Sequence, residues 1–318
     1  LPSSHLSLSI RRLLFSSLSW VFLAAWAQDS TRSFDAASRG DDTSGTARAR
    51  ASARADSAVV PAGSLSTGMD TVSSIVDSTG RGSVSLSDSA GLFGFRRLEN
   101  RAFKVGEHLE FEIAFGIIKA GTATMSIPSM ETVQGRPCFR ILTTAESNSF
   151  FSKLYKVRDW VESILDAQGL FSWKFRKHLR EGRYKADRSA EFDPAGGRVM
   201  TPHDTLASPP YVLDILASFY YSRTRALEPG SSFDIDSFSD NRIYPLRVLV
   251  HRKERIKVPA GKFDCIVVEP VIRGEGLFKQ KGKLTIWVTD DERRMPVLMK
   301  SKILVGSIDA RLTAFRFE

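Results

Sequence analysis

Leu109-Glu110-Phe111-Glu112-Ile113-Ala114-Phe115 decides the fold. Side chains on an extended strand point alternately to opposite faces, so Leu109, Phe111, Ile113 and Phe115 share one face and Glu110, Glu112 and Ala114 the other. The same period of two recurs throughout 103–318, in runs separated by Gly-containing turns, which is the pattern of a large antiparallel β-sheet protein. Further strands are expected over 122–127, 139–145, 184–192, 233–238, 283–288, 297–303 and 307–317. One stretch has helical spacing instead: Val212, Ile215, Leu216, Phe219 and Tyr220 follow Ser208-Pro209-Pro210, which serves as a start signal. The fold class is therefore all-β, a large, strongly curved antiparallel sheet, barrel-like or half-barrel, with one docked helix at about 210–225 plugging an open end.

Two segments precede this domain. Arg11-Arg12 leads into an apolar run over 13–25 that closes on Ala25-Trp26-Ala27, a small-x-small cleavage pattern, so 1–27 is expected to be a signal peptide. The run is shorter than the roughly 20 residues of a spanning helix. Gln28 follows it, where a bacterial lipoprotein carries cysteine, so the exported protein is expected to be periplasmic or in the outer envelope without a lipid anchor. No later stretch has the length and apolarity of a transmembrane helix. Residues 28–98 are rich in Ser, Ala, Thr, Arg, Asp and Gly and contain no Trp, Tyr or Cys. Such a segment buries too little apolar surface to offset an ordering entropy of about 1–2 kcal/mol per residue, and is expected to be disordered. The Arg-Ala run over 46–55 has no apolar face and fits a flexible spacer. Residues 99–318 are then one barrel-like domain.

Cys138 and Cys265 both sit in strand patterns; an oxidising compartment would allow them to pair, but two buried free thiols are the commoner outcome and the expected one. There is no CxxC, and the histidines at 5, 108, 178, 203 and 251 are scattered singly, so neither a metal site nor a cofactor is expected.

Two hairpins can be given a register. Around Asp166-Ala167-Gln168-Gly169-Leu170, a left-handed Gly169 would pair Leu165 with Phe171, Ser163 with Trp173, Val161 with Phe175 and Val157 with Leu179 on one face, with Asp159 opposite Lys177 as a lone charged pair. The other face would pair Glu162 with Lys174, Trp160 with Arg176 and Arg158 with His178. Around Pro259-Ala260-Gly261-Lys262, Val258 would face Phe263, Ile256 would face Cys265, Lys257 would face Asp264 and Val250 would face Val271.

Four separated motifs, Gly106 to Gly121, Asn148 to Asp159, Val258 to Cys265 and Leu284 to Asp291, resemble in order the bacterial exported proteins known as domain of unknown function 3108, over about 101–318. The resemblance implies an envelope location and a strongly curved, barrel-like β fold. It brings no established activity and no catalytic residue.

For chemistry, the sequence offers little to an enzyme. Asp159, Glu162, Asp166, Asp290, Asp291 and Glu292 are carboxylates, several of them in turns where solvated carboxylates are common, and Asp234-Ile235-Asp236 through Asp240 lacks the Gly and terminal Glu of a calcium loop. No Gly-x-Ser-x-Gly elbow, HExxH or phosphate loop occurs. No catalytic residue is assigned.

Binding has more support. Lys174, Arg176, His178 and Arg180 line one strand face, and Arg247, His251, Lys253, Arg255 and Lys257 line another, so each stripe can meet an anionic partner or simply be a solvated face. The candidate ligand-binding set is Lys174, Arg176, His178, Trp160, Asp159 and Lys177. Phe171, Trp173 and Phe175 would line a concave apolar face or belong to the core. The expected protein is a non-enzymatic envelope component that binds an anionic lipid or glycan, or assists cell-surface assembly. An envelope enzyme acting on carbohydrate or lipid, and a structural partner of another envelope protein, are the alternatives. Nucleic acid is not an expected partner, because an exported protein rarely meets it.

Overall fold

The computed structural model describes residues 94–272, 283–302 and 306–318. The expected signal peptide and nearly all of the expected disordered segment lie outside the described residues. Phe95 to Leu98, placed in that segment from composition, lie against the barrel: the Leu98 amide donates to the Gln168 carbonyl at 2.8 Å, and Phe95 packs on Phe171.

The strands are β1 Glu107–Phe115, β2 Ile118–Val133, β3 Arg136–Ser147, β4 Arg158–Asp166, β5 Ser172–Glu181, β6 Tyr184–Asp193, β7 Arg198–Met200, β8 Thr205–Ala207, β9 Leu213–Asp214, β10 Ser232–Ser239, β11 Arg242–Val258, β12 Gly261–Ile272, β13 Lys283–Thr289, β14 Pro296–Lys302 and β15 Ser307–Phe317. The helices are α1 Ser149–Ser152 and α2 Ile215–Arg223. One sheet holds every strand, in the order β8 to β1, then β15 back to β9, so β1 and β15 lie side by side. All neighbours are antiparallel except β9 and β10. The expected strands fall within these, apart from Ile303, which lies outside the described residues.

The alternation in β1 survives folding as expected. Leu109, Phe111 and Ile113 are buried in the interior, whereas Glu110 is exposed. The sheet curls until its two flanks meet through side chains rather than through a ladder. Asp214 beside α2 accepts the Ser163 and Ser172 hydroxyls of β4 and β5, each at 2.6 Å, Lys177 of β5 reaches Asp240 at 3.0 Å, and Phe192 of β6 packs edge-on to Phe238 of β10.

The helix begins later than Ser208-Pro209-Pro210 suggested. Asp214 is its N-cap, with Oδ1 accepting the amides of Leu216 and Ala217 at 2.9 Å, while Leu213 and Asp214 themselves pair with β10 as β9. Almost every α2 side chain is buried, consistent with a docked element.

Both hairpin registers differ from expectation by two residues. Across β4 and β5, Trp160 faces His178, Val161 faces Lys177, Glu162 faces Arg176 and Ser163 faces Phe175. Asp159 is therefore not opposite Lys177: its Oδ1 accepts the Arg180 amide at 2.6 Å, and the Lys177 ammonium goes to Asp240. The cause is the turn. The Asp166 carboxylate accepts the Gln168 and Gly169 amides, and Leu170, not Gly169, takes the left-handed conformation at φ +50°. Gly169 is needed for space, since a Cβ there would stand 2.5 Å from the Phe171 ring. A bulge between Ile164 and Leu165 then sends Phe171 and Trp173 to the opposite face, where they form a second apolar cluster with Cys138 and Ile164, while Phe175 stays in the main core. Across β11 and β12, Val258 faces Gly261, Ile256 faces Phe263 and Arg255 faces Asp264, because the turn holds two residues rather than four. Cys138 and Cys265 are both free and buried, in different clusters.

Candidate functional site

The sheet registers bring three loops to one end of the barrel. Gly116, at φ +60°, opens a two-residue turn in which Phe115 faces Ile118, and this leaves Ile117 at the tip, 98% exposed. The loop joining β3 to β4 lies alongside. The Asn148 amide donates to the Ala120 carbonyl at 2.9 Å and its side chain to the Lys119 carbonyl at 2.7 Å, while its Oδ1 caps α1 by accepting the Phe151 amide. Gly121 permits this contact, because a Cβ there would meet the Glu146 carbonyl at 2.2 Å. The turn between β5 and β6 completes the end: the Gly182 amide donates to the Lys156 carbonyl at 2.8 Å and its Cα packs under the Tyr155 ring.

Apolar side chains crown these loops. Phe150 is 66% exposed, Leu154 57% and Tyr184 50%, with Ile118 beside Ile117 also in solvent. Single exposed apolar residues need no explanation, but five on three adjoining loops form a patch. Lys153, Lys156 and Arg183 are exposed among them and have no carboxylate partner among the described residues. Lys119 is partly committed, 3.2 Å from Glu112.

The residues singled out from sequence lie on the outer face of β4 and β5 or in the flank contact, and most of their charges are matched. Arg176 stands 3.5 Å from Glu162, which also accepts from Arg140 at 2.7 Å. His178 stacks on Trp160 with ring centroids 5.4 Å apart and reaches Asp187 at 2.6 Å, a carboxylate shared with Arg180. Hydrogen bonds from Arg180, and then from His178, hold Asp187 below the usual carboxylate range against the opposing effect of desolvation. Lys174 faces Glu191 across β5 and β6. Asp159 and Lys177 are buried and take part in separate contacts. Most of the second stripe is matched as well: Arg247 pairs with Asp234, His251 with Glu269, Lys253 with Asp290 and Arg255 with Asp264, while Lys257 faces Lys262. The stripes are thus cross-strand ion-pair ladders, a compensation that one strand's sequence does not display.

Asp166 and Asp291 organise turns of the fold. Asp166 accepts two bonds from Arg136 together with the Trp173 indole N–H. Asp291 accepts the Thr289 hydroxyl and the amides of Arg293 and Arg294, organising the turn before β14. Burial raises both cysteine thiols to about 12, so neither is an activated nucleophile. Among the described residues no group of three or more His, Cys, Asp or Glu side chains is arranged to hold a metal ion.

Charge patterns on strands do not reveal the apolar end. Its signal was present: Ile117-Ile118 breaks the period of two directly after a glycine turn, and Phe150-Phe151 and Leu154 stand in a segment too short for a strand.

The family described as Protein of unknown function (DUF3108) matches residues 110–313. The chain belongs to this family. The loops carrying the apolar tips at Ile117 and Phe150 both fall inside the matched region. No curated protein matches the chain. Among solved structures, it is similar to a beta-barrel-like protein of domain of unknown function DUF1849 from Brucella abortus, with 10% identity, 67% of this chain and 98% of that one covered and a TM-score of 0.48. It is also similar to a protein from Bacteroides fragilis described as exported and YmcC-like in fold, with 12% identity, 69% and 98% covered and a TM-score of 0.32.

Proposed function

We propose that this DUF3108 protein is a non-enzymatic component of the cell envelope that binds an anionic lipid at the end of the barrel built by residues 116–120, 148–157 and 182–184. One observation carries the reading: exposed Ile117, Phe150 and Leu154 stand beside Lys153, Lys156 and Arg183, cations without carboxylate partners among the described residues. An acidic glycan would satisfy the cations but leave the aliphatic tips in water. A lipid covers both, because it joins a charged head to an apolar chain. The cleavage pattern at Ala25-Trp26-Ala27 supports an envelope location. A role in cell-surface assembly is consistent with lipid binding, whereas an enzyme acting on carbohydrate or lipid finds less support, since Asp166, Asp214 and Asp291 are engaged in turns and flank contacts. Native mass spectrometry of the protein purified from envelope fractions tests the reading. A co-purifying anionic lipid is expected, and a bound glycan with no lipid would overturn it.

A further inference from the structure

We infer that the lipid is met as a bilayer surface: the end of the barrel is an interfacial docking surface on which Ile117, Phe150 and Leu154 enter the boundary between headgroups and acyl chains of an anionic membrane, while Lys153, Lys156 and Arg183 contact phosphates. This rests on the lipid-binding reading above and adds the physical form of the partner.

Shape is the first reason. Ile117 projects from the tip of a two-residue turn, and Phe150 and Leu154 project from a separate loop held beside it by the Asn148 bonds to Lys119 and Ala120. Side chains 57–98% exposed on neighbouring tips are convex. They cannot enclose a single acyl chain extracted from its membrane, but a bilayer closes over convex points without needing walls. The side-chain chemistry agrees with this depth. Tyr184, half exposed on the adjoining β5–β6 turn, has an apolar ring and a polar end, the combination that suits a membrane interface.

Charge selects the kind of membrane. Lys153 and Lys156 flank Leu154 on one loop, and Arg183 lies on the turn whose Gly182 amide binds the Lys156 carbonyl, so three unmatched cations surround the apolar tips. Such a cluster is drawn to an anionic surface within about one Debye length. The same cluster disfavours a second copy of this chain as the occupant, because two such ends meeting head-on would bring like charges together.

Sedimentation of the full chain with vesicles of phosphatidylcholine, and of phosphatidylcholine mixed with phosphatidylglycerol, tests the assignment. Binding to the mixed vesicles alone, weakened by added salt, is expected. A variant carrying Lys153→Glu, Lys156→Glu and Arg183→Glu should bind the mixed vesicles at least tenfold more weakly, and so should one carrying Ile117→Ser and Phe150→Ser. Unchanged thermal unfolding of both variants shows that the fold is retained, as exposed substitutions usually permit. If either variant fails to fold, Ile117→Ser and Lys153→Glu alone, each at an exposed tip, provide the same comparison. Equal binding to both vesicle types, or variants that bind like the parent, would overturn membrane docking. So would a vesicle-free dimer abolished by Ile117→Ser, which would assign the patch to a second copy. A lipid that still co-purifies while vesicle binding is absent would refute the bilayer assignment alone, whereas loss of both would refute the lipid-binding reading with it.

Discussion

Glu107 at the start of β1 and Arg223 in the last turn of α2 form a bidentate ion pair in the barrel interior, with both contacts at 2.7 Å and neither side chain exposed. Arg223 also donates to the carbonyls of Ala102 and Arg293 and lies 5.0 Å from the centre of the Tyr220 ring. Burial works against the guanidinium charge, but Glu107 overrides it and raises the Arg223 pKa further. Burial, and then the charge of Glu107, push the Tyr220 phenol well above its ordinary value. The pair fixes the helix to the first strand. Arg223→Met should lower the unfolding free energy measured in urea by about 3–5 kcal/mol, because it strands a buried carboxylate. Adding Glu107→Leu should restore most of the loss, since two apolar groups need no partners. Equal loss in the single and double variants would show that packing, rather than charge, holds the helix.

Asp214 joins the flanks and gives stability a pH dependence of known sign. Burial raises its pKa above the usual carboxylate range, against the opposing hydrogen bonds from Ser163, Ser172 and the first amides of α2. In the window above the unfolded value of about 3.9 the folded state binds the extra proton, so this group's contribution to stability falls as pH rises through the folded pKa. Asp214→Asn should remove that fall while keeping a capping side chain, so the difference in unfolding free energy between parent and variant should shrink as pH rises from about 4. A difference independent of pH would show that Asp214 titrates normally. Asp214→Ala should cost more than the roughly 0.5–2 kcal/mol of a lost cap, because two buried hydroxyls also lose their acceptor.

Asp166 has the opposite sign. Burial alone would raise its pKa, but hydrogen bonds from Arg136, the Gly169 amide and the Trp173 indole together hold it below the usual range. Its contribution is therefore full above about pH 4 and is lost as pH falls through the depressed folded value. Asp166→Ala should destabilise by about 3 kcal/mol near neutral pH, since it leaves Arg136 against Phe95 and Phe171 without its counter-charge. Acid unfolding curves of parent and variant should converge at low pH, and curves that stay parallel would contradict this.

The faces of most strands were legible in the sequence, whereas the register was not. A period of two assigns Phe175 and Val161 to the interior, and that assignment survives a two-residue slip, because the slip returns every side chain to its own face. Register depends on turn chemistry. Here it turned on the Asp166 carboxylate binding two loop amides and on a bulge beside Leu165, which also reverses the faces of Phe171 and Trp173. Lys177 shows the consequence, since its partner, Asp240, lies 63 residues away on the other flank and no local pattern points to it. A double-mutant cycle on Lys177→Ala and Asp240→Ala should give a coupling within about 0.5–3 kcal/mol, as contacting residues do. Additive effects would break the link between the flanks.

The basic stripe on β5 yields the last expectation, because the ion pairs of Arg176, His178 and Arg180 make it a contributor to stability. Glu162 is buried between Arg140 and Arg176, so Arg176→Glu would place a second carboxylate beside it on the neighbouring strand. Like charges directly opposite each other destabilise a sheet, typically by a few tenths to about 1 kcal/mol, and loss of Arg176 weakens the compensation of Glu162 as well. Lys174→Glu would likewise face Glu191. The double variant should therefore unfold at lower temperature than the parent while binding vesicles of phosphatidylcholine and phosphatidylglycerol as strongly at temperatures where both are folded. A variant that melts like the parent but loses anionic binding would reverse the assignment, making Lys174 and Arg176 the contact surface and leaving Ile117 and Phe150 as exposed residues without a role.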